Sequence, residues 1–130
     1  MTDVYLSAPS PSMMDTPEIS ALSRFLDVTV FRNGLITSNL ANIDTPHYRT
    51  RDINFRQELD RAEGEFQYAE YTPVARQVRG LLERPDGNNV SLERETLLLA
   101  ESQLDYNIGV QLLRDWFHTL SSAIHEGGTS

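Results

Sequence analysis

The chain has 130 residues, with 19 acidic and 11 basic side chains and a formal net charge of −8. This length suits a single domain, and the acidic balance argues against a nucleic-acid partner, whose phosphates require a basic surface. Cysteine is absent, which excludes disulfides, thiolate metal ligands and a cysteine nucleophile.

Residues 1–15 are rich in serine and proline and show no apolar periodicity, which predicts a disordered N-terminal tail. The start carries Asp3 where a basic residue would be expected and has no sufficiently long apolar core, so it does not resemble a secretory signal peptide. No apolar run approaches the length of a bilayer-spanning helix. We therefore expect no direct insertion into a membrane.

A long amphipathic helix is predicted over 16–43. Thr16 is a suitable N-cap, Pro17 fits the first helical position, and Glu18 meets the positive end of the helix dipole. Positions at spacings of three and four then form one apolar stripe with two polar members. The stripe contains Ile19, Leu22, Leu26, Ile36, Leu40 and Ile43, with Thr29 and Asn33 as its polar members.

The middle segment, 44–89, is polar and is predicted to be mostly irregular. Its first residues include Pro46, and because the residue before a proline avoids the α region, the helix should end near Asn42 to Asp44. One short helix is predicted within 49–62. The weak alternation over 64–86 is typical of an extended arm or a poor hairpin.

A second long helix is predicted over 90–126. Ser91 is a suitable N-cap, and Gly127-Gly128 is a suitable stop. The acidic residues near its start are interpreted as charges on a solvated helix, with Glu93 and Glu95 in the first turn and Glu101 beyond it. Its apolar positions are spaced mostly by four, namely Leu97, Leu104, Ile108, Leu112, Trp116, Leu120 and Ile124.

These elements predict a mainly α fold in which the two terminal helices pair as a coiled coil and form one discontinuous domain. Closing the long middle loop costs about 3–4 kcal/mol, and each buried Leu or Ile contributes about 1.5–3 kcal/mol, so a few matched layers suffice. The apolar stripes are broader than the seam of a two-stranded coiled coil requires. The remaining apolar surface would be available to neighbouring molecules, which indicates an assembly subunit. The predicted coiled interface comprises Leu22, Leu26, Ile36, Leu40, Leu97, Leu104, Ile108, Leu112, Trp116 and Leu120.

No arrangement of residues favours catalysis or ligand binding. The three histidines, His47, His118 and His125, lack the spacing of a zinc site, and no serine lies in a nucleophile elbow. The stretch "DGNNV" lacks the Gly-Lys-Ser/Thr that holds a nucleotide. We expect no enzyme activity, no metal and no cofactor.

Two stretches carry a family resemblance. "NLANIDTPHYRTRDINF" resembles the ANxxTPxY signature of the flagellar axial proteins, and its Arg-Asp-x-x-Phe continuation is similar to that of the FlgB family of proximal rod proteins. "DGNNVSLERE" is similar to the family's second signature. The predicted assembly motif is Asn39, Leu40, Ala41, Asn42, Asp44, Thr45, Pro46, Tyr48, Arg51, Asp52, Phe55, Gly87, Asn88, Asn89 and Val90.

The resemblance implies a structural subunit of the bacterial flagellar basal body. Such a protein is exported through the flagellar type III apparatus without a cleaved signal peptide and polymerises helically into the periplasmic rod, which transmits torque. Its expected partners are other copies of itself, other rod proteins and the protein that joins the rod to the membrane ring. The terminal helices would form an inner coiled layer, with the middle segment as an arm.

The first motif also has a physical interpretation. Asn39 and Asn42 can satisfy free carbonyls at the helix end or bond a neighbouring subunit, and Tyr48 can anchor the chain. In family members a glycine usually occupies the position of His47. A turn that requires positive φ there would cost a non-glycine residue about 1–2 kcal/mol. From the residues alone, a proline turn at a helix end without a specific partner is the favoured interpretation; the family resemblance favours an assembly contact instead.

One alternative function stays open. The same apolar stripes could belong to a soluble helical adaptor or export chaperone that holds a client protein of the flagellar secretion system. A chaperone should be folded and dimeric by itself, whereas a rod subunit should gain helical structure on assembly.

Overall fold

The computed structural model describes residues 16–64 and 72–127. The predicted tail and part of the predicted arm, 65–71, lie outside these ranges. The chain is mainly helical, as predicted, and none of the helices in the described ranges is long and apolar enough to cross a membrane. In chain order the elements are α1 (Pro17–Ala41), β1 (Arg51–Asp52), α2 (Phe55–Gly64), β2 (Arg76–Gln77) and α3 (Leu92–Gly127).

The ends of α1 follow the local sequence signals. The Thr16 hydroxyl accepts a hydrogen bond from the Ile19 N–H at 3.3 Å, and Pro17 occupies the first turn, where no N–H is needed. The helix ends at Ala41 with Asn42 as its C-cap. The predicted start and end are therefore confirmed.

The start of α3 is capped in the same way. The Ser91 hydroxyl accepts a hydrogen bond from the Arg94 N–H at 3.3 Å, as predicted. The helix then runs for 36 residues to Gly127. Gly128, the second residue of the predicted stop, lies outside the described residues.

The two long helices pack along each other in antiparallel directions. Asn39, near the end of α1, contacts Glu95, near the start of α3, whereas Leu26 lies beside Gly109 further along. A Cβ on Gly109 would lie 2.7 Å from Leu26 Cδ2, so this glycine permits a close approach of the helices. On α1, Val28 and Ile36 are fully buried.

The face of α3 that packs on α1 differs from the predicted seam. Its buried residues, Glu95, Ser102 and Gly109, recur every seven positions. Four predicted seam residues instead have side chains that are 46–70% exposed, namely Leu97, Leu104, Ile108 and Leu112. The physical reason is that close contact at Gly109 and the hydrogen bonds of Glu95 fix the rotation of α3 about its axis. This rotation leaves the four apolar side chains facing outward.

The described part of the middle segment packs against the helix pair. α2 lies on α1, where the rings of Phe25 and Phe55 meet edge to face at 5.6 Å between centroids. Ala62 on α2 is fully buried. The short helix predicted within 49–62 is present but begins only at Phe55, because Asn54 caps it by accepting a hydrogen bond from the Gln57 N–H.

β structure is present in the middle segment, but its pairing differs from a local hairpin. β1 and β2 pair antiparallel, with Arg51 opposite Gln77 and Asp52 opposite Arg76. β2 lies within the segment 64–86, for which an extended arm or a poor hairpin is predicted, but it pairs with a strand that precedes α2. Arg61 on α2 donates a hydrogen bond to the Thr72 carbonyl. This bond holds the chain before β2 against α2.

Buried polar groups outnumber buried apolar ones in the described chain. Five apolar residues are buried, against nine polar or charged ones. Buried polar groups must be hydrogen-bonded to be tolerated. The fold therefore depends on how these groups are paired, and most of them meet at one end of the helix pair.

Candidate functional site

The two sequence motifs meet where α1 ends and α3 begins. We call this region the junction; its residues are Arg32, Asn39, Tyr48, Thr50, Asp52, Asn88, Asn89, Arg94 and Glu95. They come from α1, from the turn after it, from β1, from the segment before α3 and from the first turn of α3. The junction is a set of contacts within one chain.

Asn39 is the centre of the junction and is only 1% exposed. Its amide nitrogen donates to the Arg51 carbonyl at 2.8 Å and to Glu95 Oε2 at 3.1 Å. Its amide oxygen accepts from the Tyr48 hydroxyl at 3.0 Å and from the Arg51 N–H at 3.1 Å. All donor and acceptor positions of the amide are thus used.

An ionic cluster lies beside this amide and joins three parts of the chain. Asp52 accepts from Arg32 at 3.1 and 3.3 Å and from Arg94 at 2.7 Å. Arg94 also reaches Glu95 Oε1 at 2.6 Å. Glu95 is fully buried, so its charge is tolerated only because Arg94 and Asn39 both bind it.

The interpretation of Glu95 as a solvated helix charge is therefore wrong. The first turn of a helix normally exposes its acidic side chains, but here the turn packs against α1 and β1. Paired charged groups can be buried when their hydrogen bonds are satisfied. Glu93, in the same turn, is exposed as expected.

The second motif clamps the turn of the first. The Asn88 amide donates to the carbonyls of Asn42 and Thr45, each at 2.9 Å. Asn89 Oδ1 accepts from the Thr50 N–H at 2.7 Å, and the Asn89 carbonyl accepts from the Thr50 hydroxyl at 3.2 Å. Both asparagines are buried. They supply the polar partners that the backbone after α1 would otherwise lack.

The turn at His47 requires a left-handed backbone. His47 lies third in the turn Thr45–Tyr48, which is closed by a hydrogen bond from the Tyr48 N–H to the Thr45 carbonyl, and its φ is +64°. Positive φ at this position is typical of type II turns and favours glycine. His47 is therefore held in a conformation that L-residues rarely adopt.

Gly87 of the second motif makes this turn possible. Its φ is +83°, and a Cβ on it would lie 2.6 Å from His47 Nδ1. The His47 N–H also donates to the Asp86 carbonyl at 2.9 Å. The two motifs therefore contact each other through backbone as well as side chains.

The remaining residues of the predicted assembly motif divide into buried and exposed groups. Val90 is buried, and Leu40 and Phe55 are half-buried. The exposed members are Ala41, Asp44, Thr45, Pro46 and Arg51. Asn42 and Thr45 bond each other and the end of α1 at the surface. Several motif residues thus hold the subunit together, and their role between subunits stays a prediction.

The predicted coiled interface is likewise divided by the structure. Ile36 is buried against α3, and Leu22, Leu26, Leu40, Trp116 and Leu120 are half-buried. The other four face outward, as described above. The structure thus buries or half-buries the four α1 residues together with Trp116 and Leu120, and leaves the other four α3 residues exposed.

Sequence reasoning missed Arg32, Thr50, Arg94 and Glu95 as junction residues. One signal was available for Glu95: with Ser102, Gly109 and Trp116 it forms a seven-residue repeat, which marks one helix face. No local pattern identifies the partners of this face, because hydrogen bonds such as Asn39–Glu95 join residues 56 positions apart.

The junction does not have the features of a reactive centre. Its carboxylates, Asp52 and Glu95, are paired with arginines, and the Asn39 amide makes all four of its hydrogen bonds, so these groups serve structure in the subunit. Within the described ranges, no group of three His, Asp or Glu residues could hold a metal ion. The arrangement can lock one conformation of the helix pair.

Comparisons with known proteins identify similar sequences. No family model matches the chain. It is 39% identical over 106 residues to the flagellar basal body rod protein FlgB of Cereibacter sphaeroides ATCC 17029, an alignment that covers 72% of this chain and 82% of that protein. Proteins of the same name from Bacillus subtilis and Salmonella typhimurium are 24% and 25% identical over 121 and 122 residues, covering 84% and 78% of this chain and 94% and 88% of those proteins.

Proposed function

Because this chain belongs to the FlgB family of flagellar basal body rod proteins, we propose that it is a structural subunit of the rod that polymerises through its long helices. The proposal includes export by the flagellar type III apparatus, a position in the periplasmic rod and a part in transmitting torque. Its partners would be copies of itself, other rod proteins and the protein that joins the rod to the membrane ring. We propose no catalytic activity.

One observation carries this proposal: α3 has an apolar face that residues 16–64 and 72–127 of its own subunit leave exposed. We call the residues Leu97, Leu104, Ile108 and Leu112 the outer stripe. Their exposed fractions are 70%, 59%, 46% and 50%. Contiguous exposed apolar side chains on a helix are typical of protein–protein contacts.

The described part of the subunit leaves the outer stripe largely exposed. α1 occupies the face of α3 that contains Ser102 and Gly109, and at 100° per residue the outer stripe lies roughly 120° around the helix from that face. Burying a leucine side chain contributes about 1.5–3 kcal/mol. A neighbouring helix would gain this contribution at each of the four positions, which supports assembly through helix layers.

The proposed function can be tested by mass spectrometry of purified hook–basal bodies. The gene is expressed in a strain that lacks its own copy, and the basal bodies are compared with the soluble fraction. Enrichment of the chain in basal bodies is the expected result. Abundance in the soluble fraction and absence from basal bodies would instead favour the adaptor or chaperone.

A point mutation tests the outer stripe. We expect Leu104→Asp to abolish rod assembly and motility while the helical circular dichroism of the purified subunit stays unchanged, because Leu104 is mostly solvated in the subunit and only the interface would bury the charge. Gln103→Asp is the matched control, since it places the same charge one residue away on another exposed face. Wild-type motility of Leu104→Asp would contradict assembly through this stripe.

A further inference from the structure

A groove rich in arginine lies beside the β1–β2 pair of this acidic protein. Its volume is about 870 Å³, and its lining includes Arg49, Arg76, Arg79, Val78 and Leu81. We call these five residues the arginine groove. Three guanidinium groups beside two aliphatic side chains suit a partner surface that presents both carboxylates and apolar groups.

Most of this positive charge is not neutralised within the described chain. Arg49 pairs with Glu83 at 3.0 Å, and both side chains are more than 40% exposed. Among the described residues, no carboxylate lies within ion-pair distance of Arg76 or Arg79. The junction arginines differ, since Arg32 and Arg94 are both bound to Asp52.

The outer stripe has the complementary chemistry. Glu101 lies four residues after Leu97 and three before Leu104, so it shares their face, and Glu93 precedes Leu97 by one turn. Neither carboxylate has an ion-pair partner among the described residues. Burial and the nearby Glu101 raise the pKa of Asp105, against a smaller lowering by Arg32. Among the described residues, the carboxylates of Glu93 and Glu101 thus have no counter-charge in ion-pair contact.

We propose that the arginine groove of one subunit docks on the outer stripe of a second copy, with Arg79 and Arg76 facing Glu101 and Glu93. This inference rests on the proposed function and specifies its contact. The two surfaces are different parts of the chain, so the interface is heterologous. Repetition of a heterologous contact that does not close into a ring produces a helical filament.

The net charge supports a protein occupant for the groove. A molecule with a charge of −8 repels a polyanion such as a nucleic acid or an anionic membrane at long range. A second copy carries the same net charge, but short-range pairing with its carboxylates is accompanied by burial of the outer stripe. Such charge pairing selects the partner and fixes its register.

Cysteine cross-linking provides a direct test, because the natural chain contains no cysteine. Two variants are co-expressed in a strain that lacks the native gene: Leu82→Cys, next to the groove and 94% exposed, and Leu104→Cys, in the outer stripe. Basal bodies are purified and treated with a short bismaleimide. We expect a dimer of the two variants. The matched control replaces Leu104→Cys by Gln103→Cys, which should give little dimer.

Charge reversal tests the proposed pairing within the same experiment. Adding Arg79→Glu to the Leu82→Cys chain should lower the dimer yield by about tenfold, since like charges facing each other across an interface are strongly unfavourable. Adding Glu101→Arg to the Leu104→Cys chain should restore the yield. Equal cross-linking of Leu104→Cys and Gln103→Cys, or a yield insensitive to Arg79→Glu, would overturn the proposal.

The outcomes separate this inference from the proposed function. If the chain is abundant in basal bodies but the dimer is absent, the docking contact is wrong and the rod assignment stands. If the chain is absent from basal bodies, the rod assignment is wrong, and the docking contact that rests on it is wrong as well. Loss of binding to vesicles containing phosphatidylglycerol on Arg79→Glu, without any dimer between copies, would assign the groove to a membrane surface and overturn the proposal.

Discussion

The hydrogen bonds of Asn39 explain why this motif position requires an amide side chain. Its amide joins the Arg51 backbone, the Tyr48 hydroxyl and the Glu95 carboxylate in a buried position. An aspartate of the same shape has no N–H groups to donate and would add a negative charge beside Glu95. A side chain of the same size without an amide would therefore not form these hydrogen bonds.

We expect Asn39→Ala to lower the free energy of unfolding by about 2–4 kcal/mol, because it leaves a buried carboxylate and a backbone pair with unmade hydrogen bonds. Urea titration followed by circular dichroism measures this change. Asn42→Ala is the control: its amide bonds the Ser38 carbonyl at an exposed site, so the loss should be only about 0.5–1.5 kcal/mol. Equal effects of the two variants would contradict the central role of Asn39.

His47 illustrates a residue that its backbone does not favour. Its φ of +64° lies in the left-handed region, where a glycine is unstrained. We expect His47→Gly to raise the free energy of unfolding by about 0.5–1 kcal/mol, since relief of the backbone strain exceeds the added flexibility of the unfolded chain.

Thermal unfolding of His47→Gly and His47→Val provides the measurement. The valine variant should be less stable than the natural protein, because a β-branched side chain tolerates positive φ least. A valine variant as stable as the glycine variant would show that the turn can adopt another conformation at no cost.

At the scale of elements, the spacing between α1 and α3 depends on Gly109. A Cβ there would lie 2.7 Å from Leu26 Cδ2 and 3.3 Å from Phe25 Cδ1. Side chains of ordinary size at this position would push the helices apart or displace Leu26. The helix pair therefore uses a small residue at its closest contact, while its ends are fixed by caps and by the junction.

Two glycine-to-alanine variants test this contact. Gly34 lies on an exposed part of α1 with nothing within 4 Å of an added Cβ, so Gly34→Ala should stabilise the protein by about 0.5–1 kcal/mol through helix propensity. Gly109→Ala should be less stable than Gly34→Ala by about 1–3 kcal/mol, because overpacking offsets the same gain. Urea midpoints of the two variants give the comparison, and equal midpoints would exclude tight packing at Gly109.

At the scale of the whole molecule, Asp52 connects parts that are otherwise held by few apolar contacts. It lies on β1 and binds Arg32 of α1 and Arg94 of α3. The side chains of these three residues are 10%, 16% and 26% exposed, so solvent weakens the pairing only partly. One carboxylate therefore couples the helix pair to the middle segment.

We expect Asp52→Asn to lower the free energy of unfolding by about 2–3 kcal/mol, because two partly buried guanidinium groups lose their counter-charge. Hydrogen exchange should accelerate at the Val78 amide, which bonds the Thr50 carbonyl next to β1. Glu83→Gln is the control, since it breaks only the exposed pair with Arg49 and should cost less than about 1 kcal/mol. An unchanged Val78 exchange rate in Asp52→Asn would argue against this coupling.

Features that depend on neighbouring residues can be predicted from the amino-acid sequence. Thr16, Pro17 and Ser91 mark helix starts, and Pro46 marks the end of α1, because caps and proline restrictions act within one turn of the chain. The two motifs are identified by their resemblance to signatures of a known family. From these, the mainly α fold and the family resemblance could be predicted.

Which helix faces meet depends on contacts between residues far apart in the chain. Hydrophobic spacing alone favoured a seam through Leu97, Leu104 and Ile108, yet the observed contact runs through Glu95, Ser102 and Gly109. A glycine and a glutamate do not contribute to a hydrophobic pattern. The glycine permits close approach of the helices, and the glutamate accepts a hydrogen bond from a distant residue. These properties exist only once residues far apart in the chain, such as Asn39 and Glu95, are brought together.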